Sequence, residues 1–199
     1  QVAALTSPSN TLTGTLTLNE INGGSWADVS VTTDSALTLG ALQSGGAVNL
    51  QTQGAVTTAS TLSASGNLVV NSHGGAVSLG AATVSGNMTV LSGNGSVAQT
   101  GQFVVTGSTS VTAGTGTITM LNVLNSFGGT LALQGTSTSV ATSGNLQLAN
   151  VQNTGPMLLR APSGSIDLGT AFVTGGDLTL ESRGNMNLGG ANITGDLNM

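Results

Sequence analysis

The chain has 199 residues, of which 5% are charged and 2% aromatic, with 2 basic against 7 acidic side chains, a formal net charge of -5 and no cysteine. A globular enzyme carries about 25% charged residues, so most side chains that do acid, base and metal chemistry are missing and no cofactor is expected. Nucleic-acid binding, which needs a basic footprint over phosphates, is excluded.

The opening QVAALTSPSN lacks the basic start and apolar stretch of a signal peptide. If the protein is exported, residue 1 is not expected to begin the precursor. No apolar run along the chain approaches the roughly 18 residues of a spanning helix, because Gly, Ser, Thr and Asn interrupt every segment, and no membrane span is expected.

From about residue 46 a short unit recurs. Gly46, Gly66, Gly86, Gly107, Gly129, Gly155, Gly176 and Gly195 each precede a short apolar strand, at intervals of 20, 20, 21, 22, 26, 21 and 19 residues. Within the unit 66–86 the apolar positions alternate: Leu68 and Val70, Val77 and Leu79, then Ala82 and Val84. Alternation marks strands with one buried face. Three strands per unit of about 20 residues predict one coil of a triangular parallel β-solenoid, about ten coils in all, with Leu68 under Met88 and Val70 under Val90. Val and Thr suit a pleated surface, and glycine supplies turn conformations that other residues resist. No stripe of period 3.6 survives, so an all-β fold is expected.

The long interval places an insertion near 134–145. A longer period also shows: TGTLTLNEINGGSWADV (13–29) matches GTGTITMLNVLNSFGGTLAL (114–133), with Gly24 on Gly129, and SALTLGALQSGG (35–46) matches GNLQLANVQNTG (144–155). These matches divide the single domain 1–199 into two five-coil cassettes, about 1–128 and an incomplete 129–199. They also set Trp26 against Leu131, which favours burial; an exposed Trp26 would be the one candidate for stacking on a sugar. The closing GDLNM echoes GDLTL and GNLVV. A chain that stops one strand into a coil is expected to be a segment of something longer or a unit that stacks on copies of itself.

Candidate chemistry is sparse. Asp177 and Asp196 form the one acidic pair in stacked register, at positions where other units carry Asn67 and Asn87. The expected role is a ladder of short polar side chains bonding to backbone, with a calcium contact or catalysis as lesser alternatives. Asp28, Asp34 and Asp167 have no matching acid one unit away, and glycoside hydrolysis needs two carboxylates facing one bond. Aligning MLLR (157–160) with LTLE (178–181) sets Arg160 against Glu181 as a cross-coil ion pair. His73, in NSHGG, has no second His or Cys with which to share a metal, and is read as a solvated turn residue. No metal site is expected.

The phrases GNLVV…GGAVSLGAATVSGNMTV, GSVAQTGQFVVTGSTSVTAGTGTIT and NSFGGTLAL resemble the repeat regions of filamentous-haemagglutinin-like large exoproteins of Gram-negative bacteria. The resemblance implies a right-handed parallel β-helix, exported across the outer membrane by a partner transporter and working as an extracellular fibre or adhesin. It carries over no functional residue. The expected function is therefore a structural rod or filament, a homo-polymer formed by end-to-end stacking or lateral packing. The alternative is an adhesin whose solenoid face, Trp26 or segment 134–145 meets a glycan or a cell-surface receptor, and the third is a polysaccharide-active enzyme.

Overall fold

The computed structural model describes residues 1–18 and 26–199. Gly24 lies outside the described residues. Every element in them is a β-strand, and every strand pair is parallel, each strand with its copy one turn later. The chain is a β-solenoid of about nine turns with three strands per turn.

In the repeating unit, Leu68–Asn71 lies on face one, Val77–Leu79 on face two and Ala82–Val84 on face three. Their inward positions are the alternating apolar residues, each 2% exposed or less. Alternation therefore sorts side chains as the pleat requires, one to the core and the next to solvent. Register follows from the same pattern, because a slip of one residue would turn every apolar side chain outward. Leu68 pairs with Met88 and Val70 with Val90, while Val77 pairs with Val97 and Ala82 with Phe103. Face two alone is a ladder of ten strands, and ten strands spaced by about 4.8 Å span roughly 43 Å.

The glycines that open face-one strands answer to space as well as to turn geometry. A Cβ on Gly86 would sit 2.8 Å from the carbonyl carbon of Gly66, and one on Gly129 would sit 2.7 Å from the nitrogen of Ser108. Neither has a positive φ; the backbone of one coil simply passes too close to the next for a side chain. The left-handed conformation is instead used elsewhere, for example at Gly74 with φ 116°.

The long interval from Gly129 to Gly155 is not an outgrown loop. It holds four strand segments instead of three: Leu131–Gly135 on face one, Thr138–Ala141 on face two, residues 146–147 on the third side, and 151–153 back on face one. The last two belong to one bent strand, Leu146–Asn153, whose register against face one shifts by a residue between Leu131 and Leu133. Asn150, at φ 58°, stands in that bulge.

The extra strand moves the repeated phrase one face round the solenoid. LGAATVS (79–85) runs from face two to face three, whereas LGTAFVT (168–174) runs from the third side to face one, where Phe172–Thr174 pairs with Val151–Asn153. Gly155, Gly176 and Gly195 thus open face-two strands, while Gly46 to Gly129 open face-one strands. This corrects the cassette alignment. SALTLGALQSGG and GNLQLANVQNTG lie on different faces, and Trp26 bridges to Ser44 in the face-three column that runs through Ala64, Val84 and Val105 to Phe127, not to Leu131.

Candidate functional site

The turns carry a ladder of Asx side chains. Ala47 N–H donates to Asp28 Oδ1 at 2.8 Å, Asn87 N–H to Asn67 Oδ1 at 2.9 Å and Ser108 N–H to Asn87 Oδ1 at 2.9 Å. Asp196 N–H likewise donates to Asp177 Oδ1 at 2.9 Å, on the corner to which the glycine column has moved. Each side chain accepts a hydrogen bond from the next coil's backbone, so an acid and an amide serve equally, because one acceptor oxygen is all the position uses. The two stacked aspartates, the acidic pair singled out in the sequence, sit in this role.

Other carboxylates are occupied in similar ways. Asp167 Oδ1 accepts from Gly169 N–H at 2.9 Å and from Asn187 Nδ2 at 3.1 Å, and Asp34 Oδ1 accepts from Thr11 Oγ1 at 3.0 Å. Arg160 Nε donates to Glu181 Oε2 at 2.7 Å across adjacent face-two strands. With those side chains 40% and 50% exposed, the pair contributes at most about 1 kcal/mol.

His73 is exposed, at φ 47°. Its Nδ1 lies 2.8 Å from Thr52 O, and a carbonyl can only accept, so Nδ1 carries the proton. Nε2 then accepts from Asn71 Nδ2 at 3.3 Å. Among the described residues no group of three or more His, Asp or Glu side chains is placed to hold a metal ion.

Trp26 does not protrude. It is half-buried against the core, and its Nε1 is buried with no hydrogen-bond partner among the described residues. Segment 134–145 is equally unavailable as a projecting loop, since Gly135, Thr138, Val140, Ala141 and Thr142 are all buried in or beside its strands. Neither of the two places expected to offer a glycan-binding projection forms one.

Three features escaped the sequence. Asn125 is fully buried and joins three turns: its Oδ1 accepts from Phe103 N–H at 2.8 Å and Gln99 Nε2 at 2.5 Å, and its Nδ2 donates to Ala141 O at 3.0 Å. Its own carbonyl accepts from Ser143 N–H and from the hydroxyls of Thr142 and Ser143. The hub sits where face three ends and the extra strand begins. Beside it, the loop between Met120 and Ser126 exposes Leu121, Val123 and Leu124, the last at 60%.

The third feature is a trough on face one. Two adjoining depressions, about 230 Å³ and about 110 Å³, share Ser110 and Ala132. Outward hydroxyls of Thr89, Ser110 and Thr112 line the floor, and Gln134, Asn150 and Gln152 line the far wall. The small Ala132 side chain and the bulge at Asn150 make this part of the sheet concave. A weak signal lay in the sequence, since ALQG and ANVQN bring glutamines one coil apart, but only the bulged register shows that Gln134 pairs with Gln152.

No helix among the described residues is long and apolar enough to cross a membrane. No curated protein and no solved structure matches the chain. One family does, described as repeats of unknown function (DUF5649), matching residues 27–82 and again 66–134. The second match ends within Leu131–Gly135, before the bent strand Leu146–Asn153 that shifts the phrase to the next face. Together the two matches span 27–134, more than half of the 199 residues, and the chain belongs to this family of repeats.

Proposed function

We propose that the chain is a structural, non-enzymatic rod that works outside the cell, as a filament or as a stretch of a large exported surface protein of a Gram-negative bacterium. The observation that carries this reading is the parallel ladder itself. Face two runs through ten strands without a break in pairing, so a load along the axis is shared by many backbone hydrogen bonds of each coil. The Asx ladder adds a side-chain bond between several successive turns. The carboxylates of Asp28, Asp34, Asp167, Asp177 and Glu181 each bond to a neighbouring coil, which supports a mechanical role over a catalytic one.

The outer surface supports self-association. On face two the outward residues Thr38, Thr57, Ser78, Ala98, Thr119 and Ser139 stand one above another in register. A flat column of small, uncharged side chains gives a second rod nothing to repel and repeated hydroxyls to bond. A rung left unpaired on one chain presents the same ladder pattern as every other rung, so coils of two chains can continue one another. The resemblance to filamentous-haemagglutinin-like repeats supports the extracellular setting.

Sedimentation velocity over a wide concentration range, with no cofactor added, tests the proposal. Association that grows with concentration is the expected result. A monodisperse monomer at every concentration would overturn self-assembly.

A further inference from the structure

We infer that the face-one trough is a binding site for a neutral glycan chain laid across the coils. The trough is a depression in the outer surface of face one. Its lining is wholly uncharged: hydroxyls from Thr89, Ser110 and Thr112, and carboxamides from Gln134, Asn150 and Gln152.

Three amides of the trough differ from those of the same face lower down and from Asn87 at its near end, whose Oδ1 already accepts from Ser108 N–H. Lower down, Gln51 Nε2 donates to Asn49 Oδ1 at 2.7 Å, and Asn71 bonds with His73. The side chains of Gln134, Asn150 and Gln152 make no hydrogen bond to another described residue. Each presents a donor and an acceptor side by side, which is the complement of a vicinal pair of sugar hydroxyls. Gln134 and Gln152 repeat that offer one coil apart, in register, so successive rings of one chain meet the same chemistry twice.

The alternatives fit less well. A sulfated or uronic-acid chain would need basic residues, and neither Arg160 nor Arg183 lines the trough. A peptide would seek a sheet edge or an apolar anchor pocket; the floor lies in the interior of the sheet, between strands already paired on both sides. With no aromatic ring for stacking, a single site binds weakly and gains strength when the rod presents many copies.

The test uses the whole chain, isotopically labelled, titrated to millimolar levels with maltohexaose, cellohexaose and mannohexaose, with a heparin hexasaccharide and a Ser/Thr-rich peptide as comparators. The side-chain NH₂ signals of Gln134, Asn150 and Gln152 should shift with at least one neutral hexasaccharide while that of Gln51 stays in place. Replacing both exposed glutamines (Q134A with Q152A) should weaken binding about tenfold or more, the loss of two exposed hydrogen-bonding groups, with the circular dichroism spectrum unchanged. Q51A should bind as the parent does. No shift with any neutral sugar, shifts spread evenly over the surface, or a response to the heparin or peptide alone would overturn the assignment. Failure here leaves the rod untouched, because filament formation is read separately by sedimentation.

Discussion

Gly86 shows how a residue chosen by the solenoid differs from one chosen by a turn. Its φ is ordinary, yet a methyl group there would meet the backbone of Gly66 at 2.8 Å and the side chain of Asn67 closer still. Gly144 has the same identity and open space around its missing side chain. Gly86→Ala is therefore expected to destabilise by about 2 kcal/mol or more, since backbone must move to admit the methyl. Gly144→Ala is expected to stay within about 0.5 kcal/mol. Denaturant unfolding of the two variants beside the parent measures both. Equal, small effects would mean that coil spacing does not depend on the glycine column. The Asx positions follow the same logic, because Asp28, Asn67 and Asn87 are chosen for one acceptor oxygen at a fixed height above the next coil.

The strands were legible in the sequence, while their faces were legible for half of the chain. Leu68, Val70, Val77, Leu79, Ala82 and Val84 announce three short strands by alternation alone, and they form three strands. After Gly129 the same alternation misleads, because strands of all three faces share a period of two and glycine-ended turns. Matching GDLTL to GNLVV is sound as sequence, yet the first lies on face two and the second on face one. The interval of 26 residues held the clue, being longer than a 20-residue unit by about the length of one short strand and its turn. Asn125 was invisible for a different reason. It lies in a loop-like phrase, NVLNSF, and its burial depends on Gln99, Phe103 and Ala141, which sequence cannot bring together. Asn125→Ala would strand the Phe103 N–H and the Ala141 carbonyl, so a loss of about 3 kcal/mol is expected. Hydrogen exchange should show faster opening at Phe103 while Val70 and Val90 keep their protection. Unchanged exchange at Phe103 would remove Asn125 from its role as the joint between the two arrangements of the repeat.

For the molecule as a whole, stiffness comes from repetition. Each coil contacts its neighbours above and below, so stability is close to a sum of coils and coil-to-coil interfaces. With 5% charged residues, little of that stability rests on ion pairs, and the one among the described residues, Arg160–Glu181, is exposed. The core is narrow and continuous, filled by Val, Leu and a few larger side chains such as Phe103 and Phe172. The faces differ in what they offer. From Thr38 to Ser139 face two carries a column of small outward side chains suited to packing, and face one carries the hollow that runs from Thr89 to Gln152. Moving the repeated phrase by one face gives the two halves different sequences on the same side of the rod. One ladder thus presents different surfaces along its length.

The measurement that tests the central claim most directly is electron cryomicroscopy of the concentrated chain. The expected image is a filament with an axial repeat of about 4.8 Å, in which coils of one 199-residue unit run on into those of the next. Discrete particles at high concentration, with no pairing of coils between units, would contradict the account of this protein as a fibre-forming rod.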